Sequence, residues 1–224
     1  MLFRSGSVLK GHAFDESPDH KKRADYKHDP KPANAPVQGL GKHDWAPSPV
    51  PRDQLEDWRL AGWAVDFLAK PQPRPFFLAV GIVKPHTPWY VPKEYFDLFP
   101  HTKINIPDLA ADEYAGIPQA LREKIPRMEA QTVARRKELV AAYLASCRYA
   151  DDCLGRVLDA LDRLKLADKT IVFFMGDHGY HLGEKGKWSK HGSIYEVGAR
   201  VPFIFRLPGA AGNGQACGRT VGFI

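Results

Sequence analysis

Two stretches of this chain repeat apolar residues at steps of three and four, the spacing that predicts an amphipathic helix. The shorter stretch covers residues 55–68, and its apolar positions are Leu55, Trp58, Ala61, Val65 and Leu68. The longer stretch covers residues 138–164 and continues the same pattern over its whole length. We interpret its apolar stripe as a face that packs on a sheet rather than as a face that binds a partner.

Three short apolar runs, at residues 76–82, 170–175 and 201–205, predict buried strands, because β-branched and aromatic residues dominate them. The longer helix leads through a short turn into the second run, which is half of a βα repeat. We therefore predict an α/β fold with a mainly parallel sheet sandwiched by helices. Residues 15–51 lack hydrophobic periodicity and predict a long irregular loop, and residues 209–224 predict a truncated tail.

Reactive side chains follow two of the predicted strands. Lys84 and His86 come after the first, and Asp177 and His178 come after the second. Ligands of open α/β sheets bind at the carboxyl ends of strands, where a carboxylate and an imidazole can hold a cation. Ligand type alone leaves zinc or another transition metal as open as calcium. The alternative is that Asp177 merely forms a turn beside a solvated histidine.

Two blocks of sequence resemble a known family. The first is a strand followed by K-P-H-x-P, beginning at Lys84. The second is a strand followed by D-H-G, beginning at Asp177, and then by L-G-E-x-G-x-W-x-K, ending at Lys190. Their order and spacing resemble those of the sulfatase family in the alkaline-phosphatase superfamily, and most closely its iduronate-2-sulfatase-like branch. The resemblance covers about residues 6–208.

This resemblance implies a metal-dependent hydrolase of sulfate esters, with a sulfated sugar as the expected substrate. It implies that Asp177 and His178 are metal ligands and that the metal is calcium. It makes Lys190 the lysine that contacts the sulfate, and His86 the histidine beside the sulfate and the leaving-group oxygen. Lys84 stands beside His86 in the same motif, and we expect it to be a further substrate contact. The chemistry agrees, because fixed cations stabilise the negative charge that builds on the leaving oxygen.

The nucleophile of the family is missing from the sequence. Its formylglycine derives from a Cys/Ser-x-Pro-x-Arg motif, and none of the three cysteines and no serine supplies that pattern. The paired aspartates that complete the family's metal site are also absent. We therefore expect an internal, partial sulfatase catalytic domain over residues 1–224, inactive by itself. Two other interpretations stay open: a phosphatase or phosphodiesterase of the same superfamily, and a non-catalytic anion-binding remnant.

Composition adds limited information. The net charge of +6 and the pI near 9.2 favour anionic ligands. We predict a sulfate ester rather than nucleic acid, and no membrane span, because no run approaches the roughly 20 apolar residues that crossing requires. The cysteines do not indicate a disulfide framework. Members of the family are often secreted, periplasmic or lysosomal, and the sequence assigns neither a compartment nor an oligomeric state.

Overall fold

The computed structural model describes residues 29–38, 43–106, 114–122, 132–190, 195–210 and 212–222. Its helices are α1 (Glu56–Ala69), α2 (Lys93–Asp97), α3 (Gln119–Arg122), α4 (Val133–Arg163) and α5 (Glu196–Ala199). Its strands are β1 (Trp45–Pro47), β2 (Trp89–Val91), β3 (Val172–Met175) and β4 (Phe203–Arg206). Among the described helices, none combines the length and the apolar character needed to cross a membrane.

Helices α1 and α4 pack against each other and form the main core. Both helices were predicted, but α4 begins five residues earlier than residue 138 of the sequence prediction. The reason is a cap: the Thr132 hydroxyl accepts the backbone N–H of Arg135 at 3.2 Å and satisfies one donor of the first turn. The apolar stripe of α4 packs chiefly on α1 and also contacts β2, so the predicted sheet-packing face is mainly a helix-packing face.

The strands pair in two separate ladders. Strands β1 and β2 are parallel, with Ala46 opposite Tyr90. Strands β3 and β4 are antiparallel, with Phe174 opposite Ile204. The fold class is α/β, as predicted, and the sheet is incomplete. The strands predicted at 170–175 and 201–205 are present as β3 and β4, but their antiparallel pairing was not predicted, and β1 lies inside the predicted irregular loop.

The prediction of a strand at residues 76–82 is wrong, because the structure has no strand there. Alternate side chains still face opposite ways: Phe76, Leu78, Val80 and Ile82 pack against the core, whereas Phe77 is 72% exposed. The segment is thus half-buried, whereas a buried strand was predicted. A strand also needs a hydrogen-bonded neighbour, and among the described residues no strand pairs with this segment.

A second core cluster joins the strands to the loop that follows β3. Its buried members are Trp45, Trp89, Leu139, Ala142 and Trp188. These side chains come from β1, β2, α4 and the loop after β3. The cluster therefore fixes the part of the chain that bears Lys190 against the part that follows His86.

Candidate anion and metal site

The turn that carries Asp177 and His178 is tied to the chain that enters β4. The Gly176 N–H donates to the Pro202 carbonyl at 3.1 Å, and the Gly179 N–H donates to the Gly198 carbonyl at 2.9 Å. The two side chains between these bonds remain accessible, with exposed fractions of 44% for Asp177 and 31% for His178. A fixed backbone with open polar side chains suits a binding site.

The geometry of His178 fits a metal ligand. Its Nδ1 lies 2.7 Å from the Gly179 carbonyl oxygen, which can only accept, so Nδ1 carries the hydrogen. The Nε2 lone pair is then free, and Nε2 lies 3.6 Å from Asp177 Oδ2. Two atoms at that separation can bind one cation, and a backbone acceptor on the second ring nitrogen is the usual support of a metal-bound histidine. Within the described residues, no third His, Cys, Asp or Glu joins them.

His86 lies on a turn whose polar groups are bonded within the turn itself. The His86 N–H donates to the Val83 carbonyl at 3.0 Å, and the Trp89 indole N–H donates to the Pro85 carbonyl at 2.8 Å. The ammonium of Lys84 donates to the Pro88 carbonyl at 2.8 Å. These bonds close the turn and leave the His86 side chain exposed.

Lys84 itself is buried, and its charge has an acidic neighbour. Its Nζ lies 3.8 Å from Asp29 Oδ2, and its side chain is 7% exposed. Burial lowers the pKa of Lys84, while Asp29, Asp57 and Glu56 act in the opposite direction. The ammonium is thus engaged by the turn and by Asp29.

The pKa of His86 responds to other residues of the predicted site. Partial desolvation lowers the pKa of His86, although its side chain stays exposed; the carbonyl of Thr87, 2.6 Å from Nδ1, opposes this, and the electrostatic effects of Lys190, Lys84 and His178 lower the pKa further. The turn after residues 76–82 meets the loop after β3 through the rings of Trp89 and Tyr180, whose centroids lie 6.1 Å apart. The turn that bears His86 and the loop that bears Lys190 thus lie against each other, since Trp89 and Trp188 belong to one core cluster, and Asp177 lies beside His178.

Sequence reasoning missed one residue of this region. Asp57 is 2% exposed, and its carboxylate accepts the backbone N–H groups of Val83 and Lys84, each at 2.8 Å. A signal was present in the sequence: Asp57 precedes Ala61 by four positions and Ala64 by seven, so it shares the buried face of α1. An acidic residue in that phase of a helix predicts a buried carboxylate with partners.

Two aromatic residues that follow the site motifs are core residues. Trp89 is fully buried and Trp188 is 5% exposed, so both pack in the second core cluster rather than wall a pocket. His181 is also fully buried, with Nδ1 3.0 Å from the Glu184 carbonyl oxygen. His191, the residue after Lys190 in the sequence, lies outside the described residues.

Lysines, histidines and a carboxylate on the turn after residues 76–82 and on the loops after β3 of an α/β fold are a candidate site for an anion beside a cation. The chain belongs to the sulfatase family, whose sequence model matches residues 2–219. It is 36% identical to a sulfatase of Formosa agariphila over 176 residues, which is 76% of this chain and 34% of that protein. It is 38% identical to human iduronate 2-sulfatase over 177 residues, which is 71% of this chain and 32% of that protein.

The solved structures agree on the fold. The phosphonate monoester hydrolase of Silicibacter pomeroyi matches with a TM-score of 0.66 at 22% identity, over 89% of this chain and 40% of that one. This likeness shows an alkaline-phosphatase and sulfatase type of fold. The chain spans about a third of the length of the curated relatives it matches.

Proposed function

We propose that this chain carries part of the active site of a sulfatase, a hydrolase of sulfate esters. The observation that carries the proposal is the packing of the turn that bears His86 against the loop that bears Lys190, through Trp89 and Trp188, together with the electrostatic effect of Lys190 on His86. The sequence holds no Cys/Ser-x-Pro-x-Arg motif, so the nucleophile would come from a segment outside residues 1–224. We call a protein that combines this chain with that segment the complete enzyme, and we assign residues 1–224 to its catalytic domain.

Lys190 and Lys84 would stabilise the negative charge of the ester. In this proposal Lys190 contacts the sulfate oxygens directly as a point charge, a role that suits an ammonium group. Lys84 adds positive potential from inside the turn, because its ammonium is already bonded to the Pro88 carbonyl. Fixed charges in a partly dehydrated cleft act more strongly than the same charges in water.

His86 would hold and deliver the proton that the leaving alcohol needs. The Thr87 carbonyl engages Nδ1, so the other ring nitrogen, Nε2, faces the substrate. The lowered pKa of His86 reflects partial desolvation and the surrounding positive charge. An anionic ester neutralises that charge and so raises the pKa, which lets Nε2 take a proton when substrate binds. The same nitrogen then passes the proton to the departing oxygen.

Asp177 and His178 would hold a divalent cation, which we propose to be calcium on the strength of the family. The carboxylate oxygen and the free Nε2 are suited to this because of their 3.6 Å separation and the fixed tautomer of His178. A bound divalent cation supplies positive charge that neutralises the sulfate. Asp177 and His178 would hold that charge on the part of the chain after β3 that also bears Lys190.

We propose a sulfated carbohydrate as the substrate class. The name of the human relative, iduronate 2-sulfatase, specifies a sulfated sugar acid. A region with several positive charges suits substrates that carry more than one anionic group, as sulfated sugar acids do. The competing reactions of the superfamily use phosphate or phosphonate esters, so the experiment below offers both kinds of ester.

The test is the hydrolysis of an aryl sulfate and the matching aryl phosphate by the complete enzyme. We expect the sulfate to be preferred, and Lys190→Ala to lower kcat/KM by about 10²–10³, the usual cost of one preorganised charge contact. Lys169→Ala is the matched control, because Lys169 is exposed and precedes β3, whereas Lys190 belongs to the loops that follow β3. Preference for the phosphate would favour the phosphatase alternative. Equal effects of the two lysine substitutions would contradict the role of Lys190.

A further inference from the structure

Asp57 places a carboxylate where the helix packing calls for an apolar side chain. It lies in the first turn of α1, on the face that buries Ala61, Ala64 and Leu68. Its carboxylate accepts two backbone hydrogen bonds from outside the helix, one from Val83 and one from Lys84. The side chain therefore joins α1 to the turn that bears His86.

A carboxylate in this position costs stability. Burial raises the pKa of Asp57 to about 6, although the N–H groups of Val83 and Lys84 and the charge of Lys84 act in the opposite direction. The ionised form is thus held against its own desolvation. An apolar side chain would be more stable at such a position, so a buried carboxylate there points to a functional role rather than a stabilising one.

A short path of hydrogen bonds leads from Asp57 to His86. Oδ1 of Asp57 accepts the N–H of Val83 at 2.8 Å, and the carbonyl of the same Val83 accepts the N–H of His86 at 3.0 Å. Oδ2 holds Lys84, two positions before His86, in the same way. Both peptide groups that set the direction of the turn are therefore attached to one rigid helix.

We propose that Asp57 is a positioning residue, which anchors the Lys84–Pro85–His86 turn to α1 and so sets where the imidazole of His86 meets the substrate. The inference rests on the proposed function, because it assigns His86 a substrate. A displacement of about 1 Å at a reacting group costs about 100-fold in rate. Asp57 acts on the rate through His86 and does not itself touch the substrate.

The experiment is a double-mutant cycle in the complete enzyme, with an aryl sulfate as substrate. Asp57→Asn keeps the shape of the side chain but replaces one acceptor oxygen with an NH₂ group, so it breaks one of the two anchors. We expect it to lower kcat by about 10- to 100-fold with little change in KM. The matched control is Asp66→Asn, which removes the same charge from an exposed position on the same helix and is expected to leave kcat unchanged.

The cycle is completed in a His86→Gln background. If Asp57 acts through His86, then Asp57→Asn causes no further loss once the imidazole is gone, because the two effects are coupled. A loss of the same size in both backgrounds would overturn the proposal, since it would mean that Asp57 supports the enzyme in some other way. An unchanged kcat in the wild-type background would overturn it as well.

Hydrogen exchange of backbone amides tests the anchor without any need for catalysis, so it distinguishes failure of this proposal from failure of the proposed function. In the 224-residue chain, the Val83 and Lys84 amides should exchange hydrogen at least about 10-fold faster in Asp57→Asn than in Asp66→Asn. Asp57→Glu, which keeps the charge but shifts it by one methylene, replaces Asp57→Asn if the latter does not fold. Equal exchange rates would refute the anchor. Lack of sulfate-ester hydrolysis by the wild-type complete enzyme would refute the proposed function instead.

Discussion

Replacing Gly179 with alanine tests the geometry of the metal-ligand turn directly. A Cβ added at this position would lie 1.9 Å from the Val197 carbonyl oxygen, 2.9 Å from the carbon of the same group and 3.1 Å from the Arg200 carbonyl oxygen. All three atoms belong to the backbone, so no side-chain rotation can relieve the contact. The turn must therefore move away from α5 or the segment around Val197 must shift.

The size of the effect follows from these distances. Over-packing in a well-filled region costs about 1–3 kcal/mol when neighbouring side chains can adjust, and we expect the upper end or more because backbone must move. The bond from the Gly179 N–H to the Gly198 carbonyl is strained by the same movement. In a protein of this size, a loss of about 3 kcal/mol lowers the melting temperature by roughly 6–12 °C.

The matched control is Gly155→Ala, which makes the same change within helix α4. A Cβ at Gly155 meets nothing within 4 Å, so the alanine has room. Alanine is favoured over glycine inside a helix by about 0.5–1 kcal/mol, so this variant should be more stable than the wild type. The same chemical substitution is therefore expected to have opposite signs at the two positions.

The assay is thermal unfolding of the 224-residue chain, followed by circular dichroism and repeated with added calcium. We expect Gly179→Ala to melt below the wild type, Gly155→Ala to melt above it, and any stabilisation by calcium to be reduced in Gly179→Ala, because the Gly179 carbonyl orients His178. If both variants melted at or above the wild-type temperature, the close contact between the turn and α5 would be refuted.

Two further predictions concern pH and turnover. The pKa of Asp57 in the folded protein is about 6, above its ordinary value of 3.8, so the folded state binds this proton more tightly than the unfolded state does. As the pH rises from about 4 to about 6, the wild type should therefore lose about 3 kcal/mol of unfolding free energy relative to Asp57→Asn. Urea titrations below and above this window measure the difference, and a difference independent of pH would refute the raised pKa. The purified 224-residue chain should not hydrolyse an aryl sulfate, because its sequence lacks the Cys/Ser-x-Pro-x-Arg motif. Hydrolysis by the wild-type chain that is lost in Lys190→Ala would disprove this prediction.

The periodicity of apolar residues identified the helices, whose hydrogen bonds join residues close in the sequence. Helices α1 and α4 were predicted because their hydrogen bonds join residues four apart, and the apolar stripe records which face is buried. The beginning of α4 was misplaced, since the cap at Thr132 precedes the stripe. The apolar runs at β3 and β4 were also recognised, although Phe173 and Phe205, 46% and 53% exposed, are less buried than predicted.

Strand pairing was not available from the same information. The partner of a strand is distant in the sequence, and nothing in residues 170–175 or 201–205 specified antiparallel pairing. For residues 76–82, the apolar run predicted a buried strand, but Phe77 is exposed, and an apolar run does not by itself supply a hydrogen-bonded neighbour. Strand β1 is only three residues long, ends at Pro47 and is followed by Pro49, so no periodic signal marked it.

The sequence by itself identified the family and the residues that bear reactive groups, because both depend on residue type and spacing along the chain. Tertiary structure alone decided which segments meet: the turn that bears His86 packs, through Trp89 and Tyr180, on the loops that bear His178 and Lys190, about 90 to 105 positions away in the sequence. It also decided that the ammonium of Lys84 is engaged by its own turn and that Asp57 anchors that turn. Burial, charge and hydrogen bonding between distant segments act through space, so they exist only once the chain has folded.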